Sequence, residues 1–259
     1  MIFDCHVHLP SPGLGTAIEW APFTPDVDAA LRYLERCGVD KSVASSIRVT
    51  HAKTPEEVRA GNDETLAIAR DHPQAVTPGC AVNPNFVEEA VAELRRCHEE
   101  HGVVWVAELV GHAASFTYDT EDFYRVMATA AELDMVVQIH SEQPDAEEID
   151  RLCAEFPKMP VALAHVGDSP QEVHARCQLA AKRSNLYLDL SGHGIQRMGV
   201  LDLAVQCAGP DRVLFGSDYT VNDPAAVLAT IQASYLSDDA KAKVLGGNVL
   251  RLLQERGAK

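Results

Sequence analysis

The chain has 259 residues, 46% hydrophobic and 23% charged, and its 22 Lys and Arg against 38 Asp and Glu give a formal charge of −16. This composition excludes collagen-like, coiled-coil and disordered chains, and the negative charge opposes a long nucleic acid or an anionic membrane as partner. No apolar run approaches the ~18 residues of a membrane span, and the start MIFDCHVHLP, with an acid and two histidines, does not read as a signal peptide. A soluble, cytoplasmic protein is expected. Its seven cysteines (Cys5, Cys37, Cys80, Cys97, Cys153, Cys177, Cys207) are scattered and never spaced CxxC, so they read as buried apolar residues in a reducing compartment.

In chain order, β-branched or apolar runs predict strands at Ile2–His6, Val39–Ser45, Ala75–Val82, Val103–Leu109, Met135–His140, Val161–Val166, Leu186–Leu190 and Val213–Gly216. Helical stripes fall between them: Val27, Ala30, Leu31 and Leu34; Phe86, Ala90, Val91 and Leu94; Phe123, Val126, Met127, Ala130 and Leu133; Leu228, Ile231 and Tyr235. Helix starts are marked by Thr24-Pro25-Asp26, Thr54-Pro55, Asp168-Ser169-Pro170 and Asn222-Asp223-Pro224. Alternation at about 32 residues per unit predicts an α/β fold, a (β/α)8 TIM barrel forming a single domain over residues 1–259. An open doubly wound sheet is the weaker reading, because the first βα connection lacks a GxGxxG turn. The Pro- and Gly-rich segment from about Leu9 to Thr24 is expected to be a functional rim loop, with Trp20 and Phe23 as candidate pocket walls.

Catalytic groups of such barrels sit at the C-terminal strand ends. Here those ends carry Asp4-Cys5-His6-Val7-His8, then Glu108, His140, His165 and Asp218. Residues two apart on a strand share a face, so His6 and His8 are placed to hold one ion. Imidazole and carboxylate suit zinc first, with manganese, iron or nickel as alternatives. His72, His98, His101 and His174 lie in helical stretches and read as ordinary histidines.

These motifs resemble the amidohydrolase superfamily of metal-dependent hydrolases. The stretch Val213-Leu214-Phe215-Gly216-Ser217-Asp218-Tyr219, with the later Leu245-Gly246-Gly247-Asn248-Val249-Leu250-Arg251, is similar to its amidohydrolase 2 branch. The resemblance implies that His6, His8 and His140 are metal ligands, and that Asp218 is a ligand doubling as catalytic proton acceptor. His165 is implied to bind a second ion or to orient the water or substrate. Relatives with two ions often bridge them by a carboxylated lysine on strand four or five. This chain has no lysine there, but some relatives, TatD-type nucleases included, are similar in placing a glutamate where Glu108 stands. One or two divalent ions are therefore implied.

Substrate-binding candidates are Arg48, Asn83, His112, His193 and Arg197, each following a predicted strand. An arginine beside a metal suits a carboxylate or phosphate because its planar fork pairs with two oxygens. The reading is a metal-dependent hydrolase of a small-molecule lactone, ester or amide. The alternatives are a nonoxidative decarboxylase of a small carboxylic acid and a TatD-like phosphodiesterase. A homodimer is the default expectation for the assembly.

Overall fold

The computed structural model describes residues 1–9, 26–140, 146–192 and 194–258, so the rim loop with Trp20 and Phe23, and His193, lie outside the described residues. Strands and helices alternate as predicted. The first half comprises β1 (Phe3–Leu9), α1 (Val27–Cys37), β2 (Lys41–Ser46), α2 (Pro55–Asp71), β3 (Val76–Pro78), α3 (Val87–His101), β4 (Trp105–Leu109) and the short α4 (Gly111–Ala114). It continues with α5 (Glu121–Glu132), β5 (Val136–His140), α6 (Ala146–Glu155), β6 (Val161–Ala164), α7 (Pro170–Lys182), β7 (Leu186–Asp189), α8 (Val200–Ala208) and β8 (Val213–Leu214). Three helices follow: α9 (Pro224–Ala233), α10 (Asp238–Ala242) and α11 (Asn248–Glu255). Helices start where polar caps meet proline. Thr54 and Asp223 accept N-terminal amides, and Ser169 with Glu172 forms a reciprocal box around Pro170.

The strands are all parallel, in two ladders, β1-β2-β3 and β4-β5-β6-β7-β8. Two seams close them into a barrel. At one, Val7 bridges Tyr219, and Cys5 N donates to Phe215 O at 2.9 Å. At the other, Cys80 bridges Val106, with Ala107 N donating to Cys80 O at 2.7 Å. β3 and β8 are shorter than predicted. Pro78 has no N–H to continue β3, and the Phe215 amide turns to Val244 O (2.9 Å) instead of extending β8.

Two register shifts matter for the site. β1 carries one extra residue between Asp4 and Val7 relative to β2, and β4 one between Val106 and Leu109 relative to β5. Such bulges re-aim side chains, and these fall where His6 and Glu108 sit. The barrel interior is filled from below by Phe3, Cys5, Val43, Trp105, Val136, Ala162, Tyr187 and Leu214, against Val249, Leu252 and Leu253 of α11. α11 thus plugs the end opposite the strand termini, each buried leucine contributing about 1.5–3 kcal/mol. A larger cluster, including Leu94, Phe123, Met127 and Leu152, packs helices onto the outside of the strands.

Tyr235 corrects one predicted stripe. α9 ends at Ala233, Ser234 is extended with its hydroxyl on Ile231 O, and Tyr235 is 85% exposed. All seven cysteines are free, and five are buried. Among the described residues, no helix is long and apolar enough to cross a membrane.

Candidate metal centre

His6 and His8 lie within β1, not at its end, and both are buried at 2% exposure. Asp4, two residues earlier, braces the backbone: its Oδ1 accepts from the amides of His6 and Ser217, each at 3.0 Å. Its burial pushes the carboxyl up to about 7. Glu108 is the penultimate residue of β4, His140 the last of β5, and His165 follows β6. Asp218 lies four residues beyond β8, in the loop that re-crosses the barrel mouth. His165 (φ 66°) and Asp218 (φ 60°) both adopt the left-handed conformation, which costs energy in residues with side chains and concentrates at functional sites.

Four groups converge on one point. His6 Nε2 and His8 Nε2 are 3.1 Å apart, and each is 3.5 Å from Glu108 Oε2. Asp218 Oδ1 is 3.7 Å from the first nitrogen and 3.4 Å from the second. Donors around a tetrahedral ion with bonds near 2.1 Å are separated by about 3.4 Å, so His6, His8 and Glu108 are spaced to hold a divalent cation, with Asp218 facing the two imidazoles. Each imidazole is oriented from behind. His6 Nδ1 donates to Asp189 Oδ2 at 2.8 Å, which turns its Nε2 lone pair to the centre, and His8 Nδ1 is 3.2 Å from Ser45 Oγ, its register partner on β2. Asp189 is held in turn by Gln138 Nε2 at 2.9 Å, and Gln138 Oε1 accepts from the Trp105 indole at 3.3 Å. Gly216 leaves room for this carboxylate, since a Cβ there would lie 2.0 Å from Asp189 Oδ1.

The other oxygen of Glu108 faces a second group. Glu108 Oε1 is 2.8 Å from His140 Nδ1 and 3.1 Å from His165 Nε2, and these nitrogens are 3.0 Å apart. This trio is more open: the His140 and His165 side chains are 22% and 15% exposed, against 1% and 2% for His6 and His8. Ser191 Oγ lies 3.2 Å from His165 Nδ1 and 3.0 Å from His6 Nδ1, linking the two groups. Gly192 (φ 73°) admits the His165 ring, because a Cβ there would meet its Nδ1 at 2.2 Å.

Charge is arranged to match. Burial alone would favour neutral His6, yet the facing carboxylates of Glu108 and Asp189 outweigh it and raise its pKa well above the usual imidazole value. His165 is raised too, against its burial, by Glu108. Glu108, despite burial, is held well below the usual range by His6 and His140. Both shifts favour the protonated rings, so a cation entering the centre competes with protons for them. Manganese uptake by metal-free protein is therefore expected to release protons at about pH 7, with affinity rising about tenfold per pH unit for each proton displaced. Calorimetry in buffers of different ionisation enthalpy checks this, and an affinity flat between about pH 6 and 8 would contradict it.

The substrate candidates are distributed unevenly. Arg48 sits in the 3₁₀ turn after β2 (Ile47–His51), half-buried, its Nε buried with no hydrogen-bond partner among the described residues. His112, on α4, is exposed, with its ring 4.9 Å from that of His140. Asn83 is buried and braces loops, donating to Ala52 O (3.4 Å) and accepting from Asn85 N (3.0 Å). It lines a cavity of about 270 Å³ with Pro55 and Phe86 on the outer α2–α3 side, not the histidine cluster. Arg197 is exposed in the loop before α8. Sequence reasoning missed Asp189, Ser45, Ser191, Gln138 and Asn222, the last donating to Asp218 Oδ2 at 2.9 Å. Asp189, an acid in the predicted seventh strand, carried the one available signal.

A barrel whose strand termini bring four histidines and two carboxylates together is a TIM barrel with a candidate divalent-metal centre. The chain belongs to the amidohydrolase family, which matches residues 3–254. No curated protein matches it. Among solved structures, it is similar to a dihydroxybenzoic acid decarboxylase from Polaromonas sp. JS666 with bound manganese and 2-nitroresorcinol (19% identity, 100% of this chain and 99% of that one, TM-score 0.81). It is also similar to a 5-carboxyvanillate decarboxylase from Novosphingobium aromaticivorans complexed with manganese and 4-hydroxy-3-methoxy-5-nitrobenzoic acid (15%, 97% and 94%, 0.74). A third, an uncharacterised TIM-barrel protein from Bordetella bronchiseptica, is 20% identical over 99% of both chains, with a TM-score of 0.75. These likenesses establish the barrel.

Proposed function

We propose that the protein is a metal-dependent hydrolase of a small molecule, acting on a lactone, ester or amide bond. The observation that carries this reading is Glu108, which turns Oε2 to His6 and His8 and Oε1 to His140 and His165, as a carboxylate bridging two ions does. His6, His8, Glu108 and Asp218 would hold one divalent ion, and Glu108, His140 and His165 the other. Zinc is the first candidate, and manganese also fits imidazole and carboxylate donors. Such ions, when bound, would acidify a water and polarise the scissile carbonyl.

The chain's own groups supply the rest. Asp218 is placed to take the proton of the attacking water and pass it to the leaving group, with Asn222 fixing its second oxygen. Arg48 offers a buried N–H with no hydrogen-bond partner among the described residues, suited to a substrate carboxylate. His112 stands beside His140 at the mouth, placed to contact the leaving group. His193 and Arg197 remain substrate-binding candidates.

A second reading, nonoxidative decarboxylation of a small aromatic acid, is favoured by the structural likeness to several decarboxylases. In that reaction a bound ion would steady charge on the substrate, and no water would attack. Incubation in ¹⁸O-water with panels of lactones, p-nitrophenyl esters and hydroxybenzoates separates the two. Incorporation of solvent oxygen into the acid product supports hydrolysis. CO2 release from a hydroxybenzoate, with no ester or lactone cleavage, would overturn it in favour of the decarboxylase.

A further inference from the structure

The two groups of donors are held in different ways. His6 and His8 are oriented through their ring nitrogens, by Asp189 and Ser45. Glu108 and His140 stand on the ends of neighbouring strands, and one buried side chain joins those ends. Tyr118, 1% exposed, lies in the segment between α4 and α5. Its hydroxyl faces Leu109 O at 2.9 Å and also donates to His140 O, while accepting from Gly111 N at 3.2 Å. One O–H is thus shared between a carbonyl next to Glu108 and the carbonyl of His140 itself.

The phenol is not free to move. Its ring is edge-on to Phe116 and Phe123, each 5.4 Å away. The turn beneath it is tight, since a Cβ on Gly111 would lie 2.8 Å from Phe116 O. The remaining histidine of this group has a matching brace: Arg176 of α7, 7% exposed, donates from Nη1 to His165 O at 3.2 Å. The histidines of the more exposed group are therefore both held by their main-chain carbonyls, from outside the cluster.

We infer that Tyr118 is a positioning residue for the second metal position, setting the separation of Glu108 and His140, with Arg176 serving His165 in the same way. This rests on the two-position reading above. Because the link runs through the backbone of β4 and β5, removing it loosens that position while leaving the His6–His8 pair untouched. Neither residue meets substrate.

The test is manganese titration of metal-free wild type, Tyr118→Phe, Arg176→Gln and Ser45→Ala, followed by calorimetry and by the electron paramagnetic resonance of coupled manganese pairs. Wild type is expected to bind two ions and give the coupled signal. Tyr118→Phe should weaken the second position about tenfold or more, weaken the first much less because only the shared Glu108 is disturbed there, and lose the coupled signal at two equivalents. Ser45→Ala should do the reverse, weakening the first position. Tyr118→Phe binding both ions as wild type does, or weakening both equally, would overturn the inference while leaving the two-position reading intact. Wild type binding a single ion would overturn both. Should Tyr118→Phe fail to fold, Arg176→Gln carries the same expectation at His165 and can overturn it on the same terms.

Discussion

Replacing Glu108 by alanine is expected to lower the metal content of protein purified without chelator from about two ions per chain to about one or fewer, and to cut turnover about a hundredfold or more. The loss is large because a single buried side chain serves both groups. With Oε2 gone, His6 and His8 keep Asp218 as their acidic partner, whereas without Oε1 the His140–His165 pair loses the carboxylate that faces it. The variant also removes the charge that raises the pKa of His6 and His165, so protons leave these rings more readily. Elemental analysis of wild type and variant side by side decides the matter. One ion in both would leave Glu108 without a role in holding metal and make decarboxylation the stronger reading.

Asp218→Asn is expected to lower kcat by about 10²–10⁴-fold with little change in KM, because the amide keeps the size of the side chain but cannot accept a proton. The left-handed backbone at this position is tolerated by asparagine as well as by aspartate, so the fold should be retained. His6, His8 and Glu108 still offer three donors, so most of the metal should remain as well. Circular dichroism, metal content and steady-state kinetics on the same preparation separate a lost proton acceptor from a lost ion. A variant keeping more than about a tenth of wild-type activity would move the role of base elsewhere.

The barrel was legible because its signals are local. A run such as Val136 to His140, bounded by helical stripes, declares a buried strand whatever it pairs with. His6 and His8 were legible for the same reason, since a spacing of two places both rings on one face. What lay beyond the sequence is relational. Asp189 orients His6 across 183 positions, and an acid inside a predicted strand marks it without naming its partner. Tyr118 lies in a loop, where no periodicity distinguishes a phenol that spans two strand ends from one that merely packs. Asn83 shows the same dependence: following a strand suggested the mouth, and only the fold reveals its contacts with Ala52 and Asn85. The lengths of β3 and β8 depended on where Pro78 and the Phe215 amide sent their pairing, a matter of tertiary context.

The two seams give the metal centre a mechanical meaning. The ladder is thinnest where β8 meets β1 and where β3 meets β4, each closed by an isolated bridge. His6 and His8 belong to the three-stranded sheet, while Glu108 belongs to the five-stranded one and Asp218 to the loop leaving it. An ion shared by these four would act as a rivet through both sheets, tying residue 6 to residue 218 across nearly the whole chain. The closure that other barrels obtain from continuous hydrogen bonding would here be shared with coordination bonds. Loading state and integrity of the wall would then be one property, and chelation would slacken the cylinder along its seams.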